Sequence, residues 1–163
     1  MVLVITGKYF RRALVASALF YSSQISIVFA DPLNLDFSSE YGDHVVLRVG
    51  DTFRLLMRLG AAAYVTLLHQ DALGKRSLIV PSQHFPQQYY QAQSWQFFPA
   101  TDQNFAFTIT PPLGQEYFLL VASAEPLDSA PLLKQNLSQS QHTLNKLSKT
   151  KAIAFKQILL EIE

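Results

Sequence analysis

Four histidines, His44, His69, His84 and His142, are the residues of this chain best suited to proton transfer or metal binding. They stand far apart, with no HxH or HxxxH pair and no adjacent run of carboxylates, so no metal site is expected from spacing. A hydrolase would need a nucleophile on a sharp turn beside a base. Ser82, which follows Pro81, and Ser123, at the end of an apolar run, are the serines to consider, with His69, His84 and Asp71 as partners. No G-x-S-x-G elbow surrounds either one. A hydroxyl that satisfies backbone groups at a turn or strand end accounts for both. Asp51 and Asp71 sit in turn sequences, where a short carboxylate caps the backbone. Gly74-Lys75 is a lone pair and not the glycine-rich run that cradles phosphate. The residues therefore assign no catalytic group, no metal and no cofactor.

A different chemistry is concentrated in His84 to Phe98, HFPQQYYQAQSWQFF. Phe85, Tyr89, Tyr90 and Trp95 lie there among glutamine amides, a combination suited to contact with a partner chain or a glycan. The competing reading puts Trp95 and Phe97 in the core, with the tyrosines covering its rim.

The elements that must position these residues are strands. Thr52–Leu59 alternates, with Phe53, Leu55, Met57 and Leu59 on one face and Arg54 and Arg58 on the other. Tyr64–His69 and Ser77–Val80 follow, joined by the turn Asp71–Lys75, in which Gly74 takes positive φ without penalty; Pro81 ends the ladder. His44–Val49 precedes them and, through Gly50-Asp51, is expected to form a hairpin with Thr52–Leu59. Leu33, Leu35 and Phe37 alternate in a lead that could add an edge strand. Gly60–Ala63 reads as a bend or bulge and Ser82–Ala92 as a long loop. Ser94–Phe98 is a short strand with Trp95 and Phe97 on one face. Asn104–Thr110, with Phe105, Phe107 and Ile109 inward, is expected to form a hairpin with Glu116–Ser123 across Pro111–Gly114. Glu116–Ser123 is apolar on both faces, as a central covered strand is.

Composition shifts at Pro126. Leu133, Leu137, Leu144 and Leu147 are spaced for one or two short helices within 129–150, with Ser129 or Ser140 as caps. The lysines of this region have no acid between Asp128 and Glu161 and read as a solvated helix face. Residues 152–162 read as a closing strand, with a helix as the rival because Gly and Pro are absent from Ala152 to Glu161. The predicted fold is mainly β: an antiparallel β-sandwich or partly open barrel (β core 44–128), then a helical element and the closing strand.

The chain has 163 residues, 49% of them hydrophobic and 15% charged, which argues for a folded domain with a real core. Residues 1–30 are set aside from that domain. Lys8, Arg11 and Arg12 form a basic start, Ala13–Phe29 is mostly apolar, and Val28-Phe29-Ala30 suits a signal peptidase. A signal peptide cut after Ala30 is expected, with an uncleaved membrane anchor as the alternative. The remaining residues 31–163 hold ten basic and twelve acidic residues, a net charge of −2, so no strong overall field toward nucleic acid remains. With no cysteine there is no disulfide and no lipidated thiol, and an oxidising compartment stays open.

Taken in order, Gly50-Asp51, Ala63-Tyr64-Val65, Asp71–Lys75, the strand ending at Pro81, then Pro99, Pro112–Glu116 and Ala122-Ser123-Ala124 resemble the bacterial domain of unknown function 4384 over about Tyr41 to Asp128. Two positions depart from its pattern: Ser82 where asparagine is usual, and Gln91-Ala92-Gln93 where a glycine usually closes the loop. The resemblance implies a β-rich, mostly extracytoplasmic or appended domain and brings no catalytic residue or ligand. The expectation is a periplasmic or secreted, non-catalytic binding or assembly module with an envelope protein as partner, an accessory subunit of an envelope or secretion machine. Glycan or peptide binding through 84–98 is the alternative, a small exported hydrolase a further one, and membrane contact is expected only through an uncleaved signal segment.

Overall fold

The computed structural model describes residues 33–163; the expected signal peptide and its expected cleavage after Ala30 lie outside them. The strands run β1 (Leu35–Ser39), β2 (His44–Leu47), β3 (Thr52–Phe53), β4 (Leu55–Leu59), β5 (Ala63–Gln70), β6 (Arg76–Val80), β7 (Tyr89–Tyr90), β8 (Gln96–Phe98), β9 (Phe107–Thr108) and β10 (Gly114–Ser123). Helices α1 (Ala130–Lys134) and α2 (Leu137–Ser148) follow, and β11 (Ile153–Ile162) closes the chain's sheet. The fold is mainly β, with open sheets rather than a closed barrel.

Two sheets face each other. The smaller has the order β1-β4-β8, all antiparallel. The larger has the order β2-β11-β10-β5-β6, with β7 also on β5. The alternation of β4 explains the first layer: Leu55, Met57 and Leu59 are buried between the sheets and Arg58 faces out. Phe37 and Phe98 join them from β1 and β8. From the larger sheet come Val65, Leu67, Phe118, Leu120, Ile158 and Leu160. The central strand expected at Glu116–Ser123 is found, flanked by β11 and β5 and buried on both faces. Its other face carries Leu119 and Val121, which meet Leu68 and the helix residues Leu132 and Leu144 in a second apolar cluster.

The helices are held by caps and by one arginine. Asn136 accepts from Gln139 N while Gln139 Oε1 accepts from Asn136 N, a reciprocal capping box at the start of α2. Ser140 is therefore not a cap. It lies fully buried inside α2, where its Oγ receives Arg76 Nη1 at 2.6 Å. Ser129 stands at the start of α1 without a side-chain cap bond. The closing element is a strand, β11, paired along its whole length with β10.

Two expected hairpins are not formed. The turn at Gly50-Asp51 exists, with Asp51 N donating to Arg48 O and Asp51 Oδ2 accepting from Arg48 N. The chain leaving it changes layer: β2 lies parallel to β11 in the large sheet, β3 pairs with β9, and β4 enters the small sheet. The turn is a corner between sheets. Likewise β10 pairs with β11 and β5 and leaves β9 to β3, so Pro111–Gly114 is a crossing between layers, with Gly114 at φ +129°. Ile109 is buried as expected, but Phe105 is exposed. The loop over 82–92 contains β7. At β8 the core residue is Phe98, not Trp95 or Phe97: Gln93 adopts φ +67° with its N–H on Leu59 O, and the chain enters the strand one residue out of the expected alternation.

Candidate functional site

The ladder between β5 and β10 brings ionisable and aromatic side chains together at a concave place. Phe118 lies opposite His69 and Tyr117 opposite Gln70. One step further, Glu116 comes level with Asp71, where β5 gives way to its turn. Glu116 shares a face with Phe118, Leu120 and Ala122, so its carboxylate is directed to the apolar side of the sheet and is buried there. It is satisfied by His69, whose Nε2 is 2.8 Å from Glu116 Oε2. The imidazole stacks on Phe118, with ring centroids 4.6 Å apart and planes inclined by 27°.

This pair opens onto a cleft of about 350 Å³ whose walls include Phe53, Phe107, Ile79 and Pro111-Pro112. Asp71 stands at its edge, where Oδ1 accepts from Leu73 N at 3.0 Å and Lys75 N at 2.8 Å. Those bonds make Asp71 the keystone of the β5–β6 turn, and Gly74 within it takes φ +83°. The turn approaches the start of β10: a Cβ placed on Gly114 would lie 3.2 Å from Ala72 Cβ. Leu73 and Leu113, 79% and 59% exposed, are thus carried on two neighbouring segments.

An imidazole held by a carboxylate is the orienting half of a nucleophilic site. The candidate serines do not complete it. Ser123 is five residues along β10 from Phe118, roughly 17 Å at strand rise, and on the opposite face. Its Oγ donates to Glu125 O at 2.6 Å. Ser82 lies beyond the end of β6, five residues past Ser77, the partner of His69, and its Oγ accepts from Phe85 N. Both hydroxyls satisfy backbone groups. His44 is on β2, His142 on α2 and exposed His84 in the loop after β6, and no three His, Asp or Glu residues among the described ones gather as a metal set.

The aromatic stretch is divided rather than assembled. Phe85 packs against the core, its ring near Phe98, Phe105 and Phe107. Tyr90 is buried, its hydroxyl donating to Gln87 O at 3.1 Å, and burial pushes its pKa up to about 12. Trp95 is exposed on the outer face of the small sheet, beneath the Arg58 guanidinium at 5.0 Å. Arg58 is in turn paired with Asp36 at 2.6 Å. Tyr89 is also exposed but sits against Tyr64, on the face of the large sheet turned away from the main core. Tyr89 and Trp95 therefore do not share a platform. Glu116 is the site residue that was not singled out from sequence; a lone carboxylate in step with Phe118 and Leu120 is the signal that marks it.

Among curated proteins and among solved structures, nothing matches the chain. One family model does, described as a domain of unknown function, DUF4384, over residues 46–126. That span begins in β2 and ends just after β10, so it takes in the corner at Gly50-Asp51, the β5–β6 turn and the whole His69–Glu116 cleft. Residues 46–126 of this chain are a domain of the DUF4384 family.

Proposed function

We propose that this protein is an exported, non-catalytic binding or assembly module, an accessory subunit working with a protein partner of the cell envelope or a secretion machine. The observation that carries the reading is the pair of exposed leucines close in sequence to the cleft's lining. Leu73 and Leu113 are the two most exposed large hydrophobic side chains of the described residues, and each lies within two residues of a residue that lines the cleft, Asp71 and Pro112. Exposed apolar side chains gathered beside a concavity favour contact with another macromolecule. The basic and apolar start of the sequence supports export.

The test is in-cell crosslinking from positions 73 and 113, combined with fractionation. The mature chain is expected in the periplasm or the medium, with a defined crosslinked species that is lost in the Leu73→Glu/Leu113→Glu variant. Recovery of the mature chain in the cytoplasm, or crosslinking unchanged by the double variant, would overturn the proposal.

A further inference from the structure

The backbone of β2 holds a second site. It is the outer strand of the large sheet, paired on one side only, with β11. In a parallel ladder, alternate residues direct both N–H and C=O to the neighbour and the others direct both away. Leu159 N donates to Asp43 O, Glu163 N to Leu47 O, and Val49 N to Glu163 O. The odd-numbered residues thus face β11, and His44, Val46 and Arg48 face outward. Arg48 is already used, its N–H on Asp51 Oδ2 and its carbonyl on Asp51 N. Before β2, Gly42 exchanges both backbone bonds with Ser39. Two residues remain. Among the described residues, His44 and Val46 present two N–H and two C=O groups to no partner.

The two edges of this sheet differ. At the far side, β6 meets α1, and Arg76 ties it to Leu132 O at 2.8 Å and to Ser140. At β2 no lysine, proline or bulge blunts the edge. Val46 is 53% exposed, and Tyr41 and Val49 are exposed to either side of it. The strand borders a groove of about 500 Å³ whose other wall is Tyr41 and Gly50–Thr52, joined by the Tyr41 hydroxyl on Thr52 O. A groove between an open edge and a wall admits one slender extended chain. A second copy of this protein would bring its own wall against the first.

We propose that β2 binds an extended peptide segment of a partner protein by strand addition. Four backbone hydrogen bonds link the segment to His44 and Val46, and an apolar side chain lies in the groove against Val46 and Tyr41. Recognition of this kind takes affinity from the main chain and selectivity from alternate side chains, so the segment is apolar at alternate positions and free of proline where it pairs. The site is separate from the cleft beside Leu73 and Leu113, and either can fail without the other.

The experiment uses amide hydrogen exchange on the full mature chain, with a Thr-Val-Thr-Val-Thr-Val peptide as probe and the same peptide N-methylated at every residue, which leaves neither edge able to donate, as control. The His44 and Val46 amides are expected to exchange rapidly without peptide and to slow at least tenfold with millimolar probe, the methylated peptide having no effect. Val46→Pro removes an outward N–H and leaves the β11 ladder whole, so it should abolish the response while thermal unfolding stays cooperative. Three results would overturn the proposal: no slowing with the probe, equal slowing with the methylated control, or protection already present without peptide. In the last case, dependence on protein concentration would identify a second copy as the occupant, and independence another segment of the same chain.

Discussion

Replacing Arg76 with methionine keeps much of the side chain's bulk and removes all its donors. In the native protein Nε donates to Gln70 Oε1 at 2.8 Å, and Nη1 to Leu132 O at 2.8 Å and Ser140 Oγ at 2.6 Å. Hydrogen bonds from a charged donor contribute about 1.5–3 kcal/mol each when judged by deletion. Gln70 is partly exposed and water replaces the arginine there. Ser140 is 0% exposed and has no such recourse, so its hydroxyl bears the larger share of the loss. Against this stands the cost of holding the guanidinium out of water, which lowers its pKa from the ordinary value. The net destabilisation expected for Arg76→Met is about 2–4 kcal/mol. It should be local in character: amide exchange in α1 and α2 should rise more than in β10, because the arginine joins β6 to the helices and not to the main core. Urea unfolding of Arg76→Met, Ser140→Ala and the double variant gives the coupling between the two residues. A coupling near zero, or a single-variant loss under about 0.5 kcal/mol, would refute the reasoning and leave the Leu132–Leu144 cluster as what docks the helices.

Tyr90→Phe tests the buried phenol. Its pKa of about 12 in the folded chain lies above the ordinary value of 10.0, so its stabilisation is full below pH 10 and is lost as pH rises toward 12. The variant should lose about 1 kcal/mol at neutral pH, for the bond to Gln87 O, and fall less steeply in stability over that alkaline window, as followed by urea titrations. Gly114→Ala should cost more than about 1 kcal/mol, because φ is +129° and the new Cβ would come 3.2 Å from that of Ala72; a neutral result by thermal melting would mean the loops part easily. Asn136→Ala should cost about 1 kcal/mol through loss of the capping box, read as faster exchange in the first turn of α2.

What was legible in the sequence depended on how far each signal reaches. The inner face of β4 follows from alternation within one strand, and burial agrees with it at Leu55, Met57 and Leu59, while β10 was legible as covered on both sides because both of its faces are apolar. The Asp71–Lys75 turn was legible because its chemistry is local. Pairing was not. β2 is joined to β11, more than a hundred residues later, and no local pattern in His44–Leu47 records that choice. Both expected hairpins failed for one reason: a turn sequence shows that the chain bends, and not whether it returns to the same sheet. For the site, His69 and Asp71 were visible as residue types, while their meeting with Glu116 depends on the β5–β10 register. In the aromatic stretch an even composition hides a division between Phe85, Tyr90 and Phe98 on the core side and Tyr89 and Trp95 on two outer faces, which the composition does not record.

The place of β11 governs the order in which this molecule can be completed. It lies between β10 and β2 and is synthesised after both. Until Ile153–Ile162 has emerged, β10 has an open inner edge, β2 has no neighbour, and the Ile158 and Leu160 positions of the main core are empty. The preceding strands can collapse, but the large sheet cannot join its two parts. Closure of the large sheet is thereby deferred until β11 has been made, as long-range pairing requires. A chain ending at Thr150 should stay protease-sensitive with a peptide-sized gap in its sheet. A synthetic Ile153–Ile162 segment should restore resistance in trans, which makes this strand a natural place to split the protein into two reporting fragments.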